Sequence, residues 1–165
     1  DCAKVLKWES NYFLIPKLQK LRVLRLDKNQ LESLPNTWEK STKLNTLNLF
    51  GNQLRELPSS LGAINKLNVL NVSNNHLSSL PTSLMNLKNL RWLDAKNNVL
   101  TALPDNIGHL VNLQTALLSN NHIKEIPGSI QNCKNLQELY LNGNPLSEEI
   151  KIRLKQWLPH TFIHF

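Results

Sequence analysis

Five prolines, Pro35, Pro58, Pro81, Pro104 and Pro127, stand 23 residues apart along a chain of 165. No other feature restricts the fold so tightly, because a fixed period of about 20 to 50 residues marks supersecondary units stacked in a row. Sliding the sequence by that period lays Leu21-x-x-Leu24-x-Leu26-x-x-Asn29-x-Leu31 over Leu44-x-x-Leu47-x-Leu49-x-x-Asn52-x-Leu54. The frame continues through Leu67, Leu70, Val72, Asn75 and Leu77, then Leu90, Leu93, Ala95, Asn98 and Leu100. It closes with Leu113, Ala116, Leu118, Asn121 and Ile123, and with Leu136, Leu139, Leu141, Asn144 and Leu146. Asn holds its slot in all six units.

Each slot has a physical reading. Leu24 and Leu26, separated by one residue, follow the period of two of a strand with one buried face. The Asn after each strand sits where the chain turns inward, and its amide both donates to and accepts from backbone groups that a turn leaves unpaired. Stacked units would align these amides in a ladder. Leu34-Pro35 and its successors open a return segment, where a fixed φ and a missing N–H do no harm outside the sheet. The apolar residues that follow, such as Leu61, Ile64 and Leu67, recur every third position and face the same core. No unit buries its apolar side alone, so the units stand or fall together.

The pattern resembles the leucine-rich repeat family, in the subclass whose units read L-x-x-L-x-L-x-x-N-x-L-x-x-L-P-x-x-[LIW], over residues 21 to 146 without a gap. The resemblance implies one short parallel strand per unit on a concave sheet and a looser, partly helical return on the convex side. The expected fold class is α/β: a leucine-rich repeat solenoid, curved as a horseshoe, with a C-terminal capping helix. A single domain is expected over 1–165, with a shortened N-terminal unit or cap in 1–20, six repeats in 21–146 and a C-terminal cap in 147–165.

Solenoid ends need covering, since a terminal unit exposes core and an open strand edge. Ser147 to Trp157 has an N-cap Ser, two acids in its first turn and Ile150, Leu154 and Trp157 on one helical face, which predicts a capping helix. Phe162, Ile163 and Phe165 are expected to fold over the last unit. At the other end Ala3, Leu6, Trp8, Asn11 and Phe13 match the strand template, but Asn11 to Asn29 falls short of the full period. Trp8, Tyr12 and Phe13 would plug the open end or dock on a neighbouring domain.

Composition excludes several classes. With 41% hydrophobic and 19% charged residues, neither disorder nor a collagen-like chain fits. No apolar run approaches the roughly 18 residues of a membrane span, and the first thirty residues show no secretory leader. The chain begins at Asp1, which leaves a processed leader open. Two Cys make no disulfide framework, in keeping with a reducing compartment. The expected location is cytoplasmic, with secretion by a bacterium into a host cytosol as a variant. Of nineteen Lys and Arg, seven fall within residues 4 to 28, and the formal net charge is +7.

Catalytic motifs are missing: there is no G-x-x-x-x-G-K, G-x-G-x-x-G, H-E-x-x-H or C-x-x-C. Cys133 occupies the slot of Ile64 and Leu87 and reads as core. His76 and His122 share a slot two units apart, about 10 Å at ordinary strand spacing, too far for ligands that sit about 2 Å from one zinc. Asp27 and Asp94 are about 14 Å apart, and Asp94 and Glu138 about 10 Å, beyond the spacing of a glycosidase pair. Asn71-Val72-Ser73 is a lone glycosylation sequon inside a predicted strand. The ligase domain that some members of the resembled family carry behind their repeats is not expected here. No enzyme, cofactor or metal site is expected.

What remains is a surface. The strand residues between inward leucines face the concave side as Val23, Thr46, Val69, Trp92, Thr115, Glu138; then Arg25, Asn48, Asn71, Asp94, Leu117, Tyr140; then Asp27, Phe50, Ser73, Lys96, Ser119, Asn142. A sheet face without a task would be small and polar. Here Phe50, Trp92, Leu117 and Tyr140 are expected in water, with Arg25, Arg91, Asp94 and Lys96 around them and Asn48 and Asn71 between. Aromatic and Arg residues are what binding hot spots are made of. The competing explanation is contact among the apolar groups themselves, across adjacent strands.

The expected function is a non-enzymatic protein-binding module that grips a host or bacterial protein on its concave face and is monomeric alone. High Asn and Lys usage, the bare repeat array and the C-terminal cap point to a bacterial effector-type protein that binds a host protein or blocks another bacterial protein. An intracellular scaffold in small-GTPase signalling is the eukaryotic alternative. A third alternative is binding of nucleic acid or an acidic partner through Arg22, Arg25 and Lys28. The absence of stacking aromatics beside them argues against nucleic acid.

Overall fold

The computed structural model describes residues 19–165. The expected N-terminal cap, with Trp8, Tyr12 and Phe13, lies outside the described residues. Each of six units yields a three-residue strand: β1 Val23–Arg25, β2 Thr46–Asn48, β3 Val69–Asn71, β4 Trp92–Asp94, β5 Thr115–Leu117 and β6 Glu138–Tyr140. They run parallel in sequence order, and each residue pairs with its counterpart one period on. The central residue of each strand turns inward, and Leu47, Leu70, Leu93, Ala116 and Leu139 are buried.

Beyond each strand the chain enters the left-handed region at Lys28, Gly51, Asn74, Asn97, Asn120 and Gly143, with φ between 53° and 71°. Gly and Asn adopt that region most readily, which is why they fill five of these six positions. The ladder Asn follows. Asn75 donates to Val72 O in its own unit and to Leu49 O in the preceding one, each at 3.0 Å. Its Oδ1 accepts from Leu54 N, also at 3.0 Å. Asn52, Asn98, Asn121 and Asn144 repeat the arrangement. One side chain thereby satisfies three backbone groups that burial would otherwise strand.

The returns are short 3₁₀ turns at Ser59–Ala63, Thr82–Asn86, Ile107–His109 and Gly128–Asn132. Each opens where a proline carbonyl accepts from the residue three places on: Pro58 from Leu61 N, Pro81 from Leu84 N, Pro104 from Ile107 N and Pro127 from Ile130 N, at 2.9–3.1 Å. Trp38 fills the equivalent core slot in the first described unit and is fully buried. The leucine columns merge into one continuous core.

The end of the chain is built as a helix followed by a strand. Helix α1, Glu148–Trp157, is capped by Ser147, whose Oγ accepts from Ile150 N at 3.3 Å. Ile150 and Leu154 are buried beneath it. The tail does not simply fold over the last unit as expected. Phe162–His164 forms a seventh parallel strand, β7, beside β6. Ile163 and Phe165 pack toward the core, whereas Phe162 is 75% exposed. In a strand only alternate residues turn inward, so Phe162 and Ile163 cannot share a face. A search at a period of 23 misses β7 because its pairing is offset by one further residue, Glu138 against Phe162. Among the described residues no helix is long and apolar enough to cross a membrane.

Candidate partner-binding face

Parallel strands spaced about 4.8 Å apart leave each outward side chain flanked by its counterparts in the next units. Phe50, Trp92, Leu117 and Tyr140 are therefore half-buried, where the sequence suggested that they stand free in water. Trp92 lies between Val69 and Thr115, and Leu117 between Asp94 and Tyr140, in the strand register. Arg25 and Arg91 are exposed, and Asn48, Asn71 and Lys96 are intermediate. Arg91 precedes its strand and lines a groove at the strand-entry edge with Arg22, Lys43 and Lys66, away from the aromatic cluster's centre.

The amides and carboxylate in the middle column have work within the fold. Asn48 Oδ1 accepts from Phe50 N, Asn71 Oδ1 from Ser73 N and Asp94 Oδ1 from Lys96 N, at 3.0–3.2 Å. Each holds the backbone of its strand exit, the local pattern that short polar side chains favour. Asp94 was expected among the exposed charges and is instead 3% exposed. Burial raises its pKa, opposed by the Lys96 N–H and the Lys96 ammonium, whose Nζ lies 3.8 Å from Oδ2. The Ser73 hydroxyl, one unit before, also hydrogen-bonds the carboxylate and works against the rise, while Leu117 stands beside Asp94 in the strand register.

Sequence reading missed two members of this face. β7 sets His164 directly beside Tyr140 and Phe162 beside Glu138. The Tyr140 phenol also donates to Glu138 Oε2 at 3.4 Å. Partial desolvation and the Glu138 carboxylate together raise the Tyr140 pKa. Leu117, Tyr140 and His164 thus form one row across three consecutive strands, with Trp92 on β4 and Phe162 on β7 each two residues ahead of that row. The signal was present in the alternation Phe162-Ile163-His164, but only the helix-plus-strand ending puts it in register.

The remaining reactive groups lie elsewhere. Cys133 is buried in the core as its slot suggested, and desolvation pushes its thiol up to about 11. His76 and His122 are exposed. Among the described residues no three His, Cys, Asp or Glu side chains are grouped to hold a metal ion.

Stacked parallel strands, an internal Asn ladder and 3₁₀ returns define a repeat solenoid with one continuous outward face. Leucine-rich repeat models match it directly, as single repeats at residues 43–64 and 66–87 and as a two-copy unit at 111–153. The chain belongs to the leucine-rich repeat proteins, whose fold is a general protein–protein interaction module and whose domains are typically non-enzymatic. No curated protein matches it in sequence.

Solved structures extend the comparison. A leucine-rich repeat protein of Leptospira interrogans is 26% identical, with a TM-score of 0.51 over 92% of this chain and 56% of that one. The ectodomain of the Arabidopsis thaliana membrane receptor kinase GASSHO1/SCHENGEN3, solved in complex with Casparian strip integrity factor 2, is 39% identical. Its TM-score is 0.73 over 80% of this chain and 17% of the ectodomain. An internalin of Listeria monocytogenes shares the fold at 22% identity and a TM-score of 0.72, over 91% of this chain and 49% of its own. The chain spans little more than half of the first of these structures and less of the other two.

Proposed function

We propose that this chain is a protein-binding module that holds a folded protein partner against its concave sheet. The observation that carries the proposal is the cluster of Trp92, Leu117, Tyr140, His164 and Phe162 on four adjacent strands. Aromatic side chains offer large contact area at small entropic cost, and a rigid sheet presents them already positioned. Arg25 and Lys96 supply charge at the rim, and Phe50 a second apolar point. Asn48, Asn71 and Asp94 act by shaping the strand exits. The division into an N-terminal cap in 1–20, six repeats in 21–146 and a C-terminal cap in 147–165 belongs to the same proposal.

The setting we favour is a bacterial effector-type protein that binds a host protein or blocks another bacterial protein. Its support is the closing helix, the Asn- and Lys-rich composition and the likeness to the Leptospira protein. Affinity capture from host and from bacterial lysates, with wild type beside Trp92→Ala and Tyr140→Ala, tests both levels. Each substitution is expected to weaken capture by about 2 kcal/mol, roughly thirtyfold, with Tm lowered by no more than a few degrees. Unchanged capture by both variants would remove the concave face from the proposal.

A further inference from the structure

The strand-entry edge of units one to four carries a second feature, which meets the aromatic cluster only where Arg91 precedes Trp92. Arg22, Lys43, Lys66 and Arg91 line an open groove of about 750 Å³ together with Val23 and the amides of Asn45, Asn68 and Asn89, and among the described residues no carboxylate lines it. The four cations are exposed, and among the described residues none of them is ion-paired. The bias reaches past the groove itself. The segments 19–22, 42–45, 65–68 and 88–91, which lead into β1 to β4, hold six Lys and Arg and no acid.

One column shows that the fold does not require these cations. The slot three residues before each strand begins reads Lys20, Lys43 and Lys66, then Asn89, Asn112 and Asn135. In the last three units the Asn donates to a backbone carbonyl of the preceding unit: Asn89 to Asn65 O at 2.6 Å, Asn112 to Lys88 O and Asn135 to Val111 O at 2.8 Å. In the first three units Lys stands where that stitch would be. An exposed ammonium beside other cations gives the folded chain no comparable bond, and like charges on adjacent strands repel. A concentration of one charge sign in a concavity focuses its field on a ligand of the opposite sign.

We propose that this groove binds an extended acidic polypeptide segment, rich in Asp or Glu, of a protein partner. Arg22 and Arg91 stand three strand spacings apart, about 14 Å, a span covered by about four residues of extended chain. Lys43 and Lys66 project between them at one spacing. The Asn45 and Asn68 amides lie along the same line; each places one N–H on Lys66 O, at 3.5 and 3.4 Å, which leaves the second N–H of each for a peptide carbonyl. Among the described residues no aromatic side chain lines the groove, and these residues alone offer no stacking platform of the kind single-stranded nucleic acid uses. The proposal stands whether or not the aromatic cluster binds anything.

The test is fluorescence anisotropy of the full chain with labelled oligoglutamate, and in parallel with labelled oligothymidylate, at low and at physiological salt. Wild type is expected to bind oligoglutamate with an affinity that falls as salt rises. Lys43→Gln/Lys66→Gln is expected to lose about tenfold in affinity, as two screened ion pairs would. Lys124→Gln/Lys134→Gln, which removes the same charge from exposed positions elsewhere, should change it by less than about twofold. Equal losses in the two Lys doubles, or no binding by wild type at low salt, would overturn the groove. Tighter binding of oligothymidylate, lost in the groove double, would overturn the peptide assignment in favour of nucleic acid.

Discussion

The ring of Tyr140 lies flat against the ring of His164, with centroids 4.1 Å apart and planes within 6° of parallel. Those residues belong to different devices of the chain, the sixth repeat strand and the tail that follows the closing helix. Their stack is the visible sign that β7 is a continuation of the sheet. It covers the hydrogen-bonding edge of β6: Leu141 donates to His164 O at 2.7 Å and Phe162 to Gln137 O at 2.8 Å. An uncovered edge would invite pairing with another chain.

Ile163 is the anchor of that strand, packed against the core between two outward residues. Ile163→Asp should detach β7 and lower stability by about 2 kcal/mol or more. Urea unfolding measures the loss. Size-exclusion chromatography should show self-association through the freed β6 edge, and near-UV dichroism should report the lost tyrosine environment.

The ladder predicts a larger effect in the middle of the array. Asn98 donates to Val72 O and Ala95 O, each at 3.1 Å, and accepts from Leu77 N at 3.0 Å. Asn98→Ala strands all three groups away from water, and a loss of about 3 kcal/mol or more is expected in chemical denaturation. Asn29→Ala, at the half-buried start of the ladder, should lose distinctly less.

On the convex side, successive 3₁₀ turns approach so closely that a side chain on Gly62 has no room. A Cβ there would stand 2.1 Å from the Ser83 carbonyl oxygen. Gly62→Ala should therefore lower Tm, by about 1–3 kcal/mol in stability. At Gly128 the same addition meets only the Trp157 ring at 3.7 Å or beyond. Gly128→Ala is expected to be neutral or slightly stabilising, by about 0.5 kcal/mol, through the restricted unfolded chain. Parallel calorimetric melts of the two variants decide this.

Asp94 predicts a pH dependence with a definite sign. Burial raises its folded-state pKa, so the folded protein holds the proton more tightly than the unfolded chain does. Its contribution to stability is greatest below the ordinary carboxylate range and declines as pH rises through the raised value. Asp94→Asn keeps the Oδ1 acceptor for Lys96 N and removes the buried charge. The variant should melt at a higher temperature than wild type at neutral pH, and the two curves should converge in acid. Equal melting temperatures at pH 7 would mean that the Lys96 ammonium offsets the burial in full.

Period and slot chemistry are local, and on that level the chain was legible. Which residues form strands, which Asn turns inward and which proline opens each return all follow from spacings within one unit. Short-range spacing decides them, because each is a choice of backbone conformation and of facing side. The helix cap at Ser147 was readable for the same reason. Three things were settled only in three dimensions. The burial of Asp94 is set in the stack, where its register neighbours are Asn71 and Leu117 of the adjoining units. The seventh strand depends on how far α1 carries the chain before it returns, which breaks the period by one residue. The basic groove gathers Arg22, Lys43, Lys66 and Arg91 from four successive units. In each case the deciding neighbour lies about 4.8 Å away in the sheet and a full repeat away along the chain, so solvent exclusion and electric field belong to the stack and not to any unit within it.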